Sequence, residues 1–186
     1  MSVNPPQLRF CVVGHSFLTS DLLQAGHVQV TLNDAPEMVI LGVTDSVVEQ
    51  QLEALADVLR PNTIVLNHCL ALAPEVSGCL DIAVLPQQRG CAVCTFDELG
   101  AVVAELLLQP LGVPVTQVAA EDWPQTQALV AWWLVFSAVA DEQARGLCEF
   151  FAPALRDVRT IAAVEKLMGG GKLYRLGVDF LDGVSG

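Results

Sequence analysis

The chain has 186 residues, 53% of them hydrophobic, and a formal net charge of -12. That length suits one domain of ordinary size, or a domain with a small appendage, and the apolar share excludes a disordered chain. With nine Lys and Arg against 21 Asp and Glu, there is no clustered positive charge for nucleic acid or an anionic membrane, and the acidic surface serves solubility.

No apolar run reaches the roughly 18 to 20 residues that span a bilayer; the longest is Ala128 to Ala140. The opening Met1-Ser2-Val3-Asn4-Pro5-Pro6 lacks the basic-then-apolar order of a signal peptide, so a cytoplasmic protein is expected. Its six cysteines then read as reduced thiols.

In chain order, Leu8 to Gly14 is a short apolar run ending in glycine, as a first buried strand should be. Helical spacing follows at Phe17, Leu18, Leu22 and Leu23, with Ser16 as cap and Gly26 as terminator. His27 to Leu32 alternates as a second strand and closes at Asn33-Asp34. Met38 to Val43 is almost wholly apolar, the pattern of a parallel strand covered on both faces. Directly after it, Thr44, Asp45 or Ser46 can cap a helix whose stripe is Val47, Val48, Leu52, Leu55 and Val58.

Arg60-Pro61-Asn62 is a turn, and Thr63 to Asn67 is a further strand that ends at His68. Leu72 to Val76 reads as a short helix, Leu80 to Leu85 as a fifth strand stopped by Pro86, and Gln87 to Thr95 as loop. Phe96 to Gln109 is helical and Val113 to Val118 makes a last strand. Strands alternating with helices predict right-handed crossovers and a doubly wound, mainly parallel α/β sheet.

From Glu121-Asp122-Trp123-Pro124 onward only helices follow. Asp122 is the cap and Pro124 lies in the first turn of a helix carrying Trp132, Trp133 and Phe136. A helix apolar on most sides needs more than one neighbour. Asp141 to Phe151 and Pro153 to Met168 supply part of that cover and a second subunit the remainder, which predicts a homodimer through the 123–168 helices. Three glycines at 169–171 break the last helix before the tail.

Ligands of open α/β sheets sit outside the carboxyl ends of strands, so the turn Val43-Thr44-Asp45 and the strand end at His68 are candidate site positions. His68 is the acid/base candidate because an imidazole titrates near working pH, and its other reading is a hydrogen-bonded loop residue. Cys91-Ala92-Val93-Cys94 has redox spacing, and with Cys79 and His68 a zinc set can be drawn. A structural zinc site wants two such pairs, and ordinary buried cysteines are the expectation, with no metal.

Several motifs together carry a family resemblance. They are Cys11-Val12-Val13-Gly14, Leu22-Leu23-Gln24-Ala25-Gly26-His27, the run Asp34 to Asp45, Leu59-Arg60-Pro61-Asn62-Thr63-Ile64-Val65, Leu111-Gly112-Val113-Pro114-Val115, and the switch to helices at Asp122. The chain resembles the Rossmann-type NAD(P)-binding dehydrogenases of the 6-phosphogluconate dehydrogenase-like group, nearest to small oxidoreductases with a helical C-terminal dimerisation domain. The resemblance implies a Rossmann-like dinucleotide-binding domain over 1–118 and a small all-helical dimerisation segment over 119–186. It implies NAD or NADP lying across Gly14, His15, Ser16, Asn33, Asp34, Val43, Thr44 and Asp45, with Asp34 placed to grip a ribose diol and His15 to donate to phosphate; read from their neighbours alone, Asp34 before Ala35-Pro36 is a turn residue and His15 a helix cap.

Two departures stand beside the resemblance. The family's G-x-G-x-x-G turn keeps only Gly14, followed by His15-Ser16-Phe17-Leu18. The first helix after the sheet offers Gln125 and Gln127 where many members carry a Lys, and often an Asn, to move a proton. The leading expectation is an NAD(P)-dependent oxidoreductase of unassigned substrate. The alternative is a non-catalytic dimer that binds a nucleotide or other small ligand, or serves as an interaction module.

Overall fold

The computed structural model describes residues 7–43, 47–70, 76–138, 142–168 and 174. The expected cap Thr44-Asp45-Ser46, most of the short helix expected at 72–76, and the glycines at 169–171 lie outside the described residues. Seven strands form one sheet in the order β2-β1-β3-β4-β5-β6-β7. They are β1 (Arg9–Gly14), β2 (Val28–Gln29), β3 (Met38–Gly42), β4 (Ile64–Asn67), β5 (Leu80–Gln87), β6 (Gly90–Thr95) and β7 (Val115–Gln117). Every pairing is parallel except that of β5 with β6.

Strand β3 explains the layering. All five of its residues are buried, and alternation sends Met38 and Ile40 into one cluster, Val39 and Leu41 into another. On the first face lie α1 (Thr19–Gln24) and α3 (Glu98–Leu108), contributing Leu22, Ala104, Leu107 and Leu108. On the second face, α2 (Val48–Ala56) packs Leu55 against Val39 and Leu41. Helix α3 starts where Asp97 accepts the Gly100 N–H at 2.6 Å, a side-chain cap that satisfies one orphan amide.

The segment Gln87 to Thr95, expected as loop, is instead the hairpin turn Gln88-Arg89 and strand β6. Pro86 does not stop β5, because nothing in the ladder asks its nitrogen for a hydrogen bond. Its partner Cys91 sends its own N–H to the Pro114 carbonyl at 2.9 Å, and on the other side of β5 the pairing with β4 ends at Ala83. Gly90 closes the turn at φ 99°, and a Cβ there would run into the Pro114 carbonyl.

The C-terminal helices α4 (Trp123–Ser137), α5 (Glu142–Leu155) and α6 (Val158–Met168) pack directly on the second face of this hairpin half. Ala83, Leu85, Ala92 and Cys94 of the sheet share one cluster with Trp123, Leu134, Cys148, Phe151 and Val164. Each fully buried leucine in it, such as Leu134, contributes roughly 1.5–3 kcal/mol. Trp132, Trp133 and Phe136 are half-buried against that cluster, with the Trp132 and Phe136 rings 4.4 Å apart. Among the described residues no helix is long and apolar enough to cross a membrane.

Candidate functional site

Strand order reverses between β1 and β3: the chain leaves β1 for β2 on one side and returns to β3 on the other. A reversal of this kind opens a crevice outside the carboxyl ends of the two strands. Here the ends are Gly14 and Gly42, which are register partners. Gly14 has φ 89°, and a Cβ on it would strike the Gly42 carbonyl. A Cβ on Gly42 would overlap the His15 carbonyl, and the His15 N–H donates to the Gly42 oxygen at 3.1 Å. The first turn therefore lies backbone against backbone on the end of β3, an approach only glycine allows.

Beyond His15 the turn is held by side chains. The Leu18 N–H donates to Ser16 Oγ at 3.1 Å, and Ser16 Oγ lies 3.0 Å from His68 Nε2. His68 Nδ1 lies 2.9 Å from the Val84 carbonyl. A carbonyl only accepts, so Nδ1 carries the proton and Nε2 accepts from the Ser16 hydroxyl. His68 is 1% exposed, and burial pushes its pKa down to about 4, against the opposing hydrogen bond to Val84. The Phe17 ring sits 4.5 Å from the imidazole. The neutral, doubly hydrogen-bonded ring thus joins the first turn to the end of β4 and the middle of β5.

The remaining predicted positions divide. Val43 is half-buried, and its carbonyl accepts the Cys69 S–H at 3.8 Å while the Cys69 N–H donates to Asn67 Oδ1 at 2.8 Å. Strand β2 is shorter than expected, so Asn33 and Asp34 stand in a separate 3-10 turn, Leu32–Asp34. Asp34 Oδ2 accepts the Thr31 hydroxyl at 2.7 Å and the Thr31 N–H at 3.0 Å, bonds that hold its carboxyl below the usual range. The carboxylate closes its own turn and stays exposed. Thr44 and Asp45 fall outside the described residues.

The sequence offers Ser16 as a helix cap and cofactor-bordering residue and Phe17 as part of a helical stripe, and does not show that both meet His68. The available signal was a hydroxyl residue standing where the second glycine of the family turn belongs. His27 is also buried, its Nδ1 accepting the Leu8 N–H at 3.1 Å, with burial lowering its pKa.

The cysteine pair is separated by the pleat. Cys91 packs with Val93 on the first face and Cys94 with Ala92 on the second, so three residues of strand point the thiols apart and no disulfide can close. Burial pushes Cys91 up to about 11 and raises Cys94 as well. Among the described residues no three His, Cys, Asp or Glu side chains are arranged to hold a metal. A hollow of about 470 Å³ lies elsewhere, between Glu105 of α3, Gln109 just after that helix, and Pro114, Val115 and Gln117 at β7.

A dinucleotide needs close backbone approach, amides for phosphate and an acceptor for ribose. The glycine contact supplies the first, the amides of Ser16 and Phe17 have no acceptor among the described residues, and Asp34 is exposed. The residues present fit such a group.

The architecture is a Rossmann-like α/β fold with a C-terminal helical segment. Among solved structures it is similar to 3-hydroxyisobutyrate dehydrogenase of Mycobacterium tuberculosis, at 15% identity and TM-score 0.56, over 87% of this chain and 71% of that one. Arogenate dehydrogenase of Synechocystis matches at 15% identity and TM-score 0.51, over 94% and 84%. Pyrroline-5-carboxylate reductase of Coxiella burnetii matches at 15% identity and TM-score 0.50, over 96% of both chains. No protein-family model matches the chain, and no curated protein does. What these structures share with it is the fold.

Proposed function

We propose that the chain is an NAD(P)-dependent oxidoreductase whose cofactor lies across the carboxyl ends of β1 and β3. The observation that carries this reading is the Gly14–Gly42 backbone contact at the point where strand order reverses. In this reading Gly14, His15 and Ser16 border the pyrophosphate, Asn33 and Asp34 the ribose, and Val43, Thr44 and Asp45 the opposite wall. The bound nicotinamide supplies the hydride chemistry. The chain orients the cofactor and keeps water from it, and any proton that His68 handles reaches Nε2 through the Ser16 hydroxyl, the group bonded there.

Titration with NADH and with NADPH, followed by nicotinamide fluorescence, tests the reading. Saturable binding well below about 1 mM, or ~4 kcal/mol, is expected, and no binding at that concentration overturns it. The named substrates of the three structural neighbours form the first activity panel. Pairing of two chains through the 123–168 helices belongs to the same reading and is supported by Leu129, 44% exposed on α4. Sizing of the purified protein should find a dimer.

A second reading, a nucleotide-binding dimer without hydride transfer, is favoured by Gln125 and Gln127 at the start of α4, where no Lys, Asn or His stands. Tight cofactor binding with no turnover across a broad substrate panel would select it.

A further inference from the structure

We propose that Ser16, Phe17 and His68 form a positioning latch that holds the first turn across the end of β3 in place of the two glycines this chain lacks. The consequence for cofactor affinity rests on the oxidoreductase reading; the latch itself does not.

A three-glycine turn is shaped by backbone packing, since each glycine removes a Cβ that would block close approach. Here backbone packing accounts for Gly14, His15 and Gly42 and then stops. The next residue, Ser16, stands where the second glycine would, and it points its hydroxyl at a ring from two strands away. Every hydrogen in the chain of bonds has one direction: Leu18 N–H to Ser16 Oγ, Ser16 O–H to His68 Nε2, His68 Nδ1–H to the Val84 carbonyl. Phe17 covers the ring at 4.5 Å. A buried, satisfied histidine is commonplace in a core; this one is distinguished by its partners, two consecutive residues of the turn that borders the crevice. His68 acts on a ligand through Ser16, which makes it a positioning residue.

Three measurements on the full chain decide the matter. In protein labelled with ¹⁵N-histidine, one of the three histidines should show a protonated Nδ1 and a bare Nε2 at neutral pH, and Ser16→Ala should move that Nε2 resonance. Ser16→Ala should also speed hydrogen exchange of the His15 amide about tenfold, as the turn lifts from Gly42. It should weaken NADH about tenfold, ~1.4 kcal/mol, as should His68→Leu. His68→Gln, whose side-chain oxygen accepts from Ser16, should restore affinity to within about threefold of wild type.

The opposite tautomer, or an Nε2 resonance and His15 exchange unmoved by Ser16→Ala, overturns the latch. Unchanged NADH affinity in Ser16→Ala overturns its role in binding. Should wild type bind no NADH, the oxidoreductase reading falls, and resonance and exchange still decide the latch. Should His68→Leu fail to fold, the half-exposed Ser16→Ala carries the test.

Discussion

In the half of the sheet from β1 to β4 the strands run parallel and end side by side, bringing Gly14, Gly42, Asn67 and the following His68 to one edge. In the half from β5 to β7, β5 and β6 run antiparallel through Gln88-Arg89, so their ends are divided between opposite edges. The first half gathers polar groups at its edge, where Ser16 bonds His68 and Asn67 accepts the Cys69 N–H. The second buries Val84, Leu85, Cys91, Ala92, Val93 and Cys94 and carries α4 on its second face. Parallel strands make a site because their ends coincide; a hairpin makes a floor for helices.

Each half also has a glycine that admits a carbonyl from elsewhere in the chain, Gly42 for His15 and Gly90 for Pro114. Substituting them separates the halves most sharply. Gly42→Ala sets a methyl group against backbone that cannot swing away, so a loss above about 4 kcal/mol in urea unfolding is expected, with loss of NADH binding. Gly90→Ala, strained also by φ 99°, should destabilise comparably while leaving the affinity of the folded fraction unchanged. Equal loss of binding in both would show that the halves are not independent.

The next largest effect is in pH. The unfolded chain protonates His68 near its ordinary 6.5, the folded chain only near 4, so between those values the unfolded state holds more protons. Stability should fall as pH drops through that window, by about 3 kcal/mol once it is crossed. In urea titrations across the window His68→Gln should flatten this slope, and a slope unchanged by the substitution would mean that another group carries it.

Smaller still, Asp97→Ala removes the cap of α3 and should cost about 1 kcal/mol, with NADH affinity untouched because α3 lies over the hairpin half. Least of all, Cys91 and Cys94 should resist thiol reagents in the native state, and the thiol count should be the same with and without reductant. A count lower by two without reductant would contradict the opposite-face placement.

Much of the fold is legible from local pattern. Met38 to Gly42 reads as a strand because burial on both faces demands an unbroken apolar run. Helix α3 reads as one because apolar residues recur at helical spacing from Leu99 to Leu107, while its cap Asp97 is seen only in the structure. Strand β6 is not legible: Gly90 and Ala92 have little strand preference, Pro86 precedes it, and its extended form is fixed by pairing with β5 and β7. Gly14, Asp34 and His68 could each be picked out by type and position. A turn role for Asp34 and a hydrogen-bonded place for His68 were legible as well, but their partners were not: Asp34 bonds Thr31, and His68 lies beneath Phe17 with Ser16 at its Nε2.

By itself, then, the sequence determined the alternation of strands and helices, the switch to helices after Val118, the glycine at the end of β1 and the absence of the two that should follow it. These are matters of neighbouring residues, where periodicity, caps and φ preferences act within a few positions. The tertiary structure alone decided that α4 packs on β5 and β6, that Cys91 and Cys94 face apart, and that Ser16 meets a histidine 52 residues away. Such contacts depend on which surfaces the folded sheet brings together, and no local pattern encodes that.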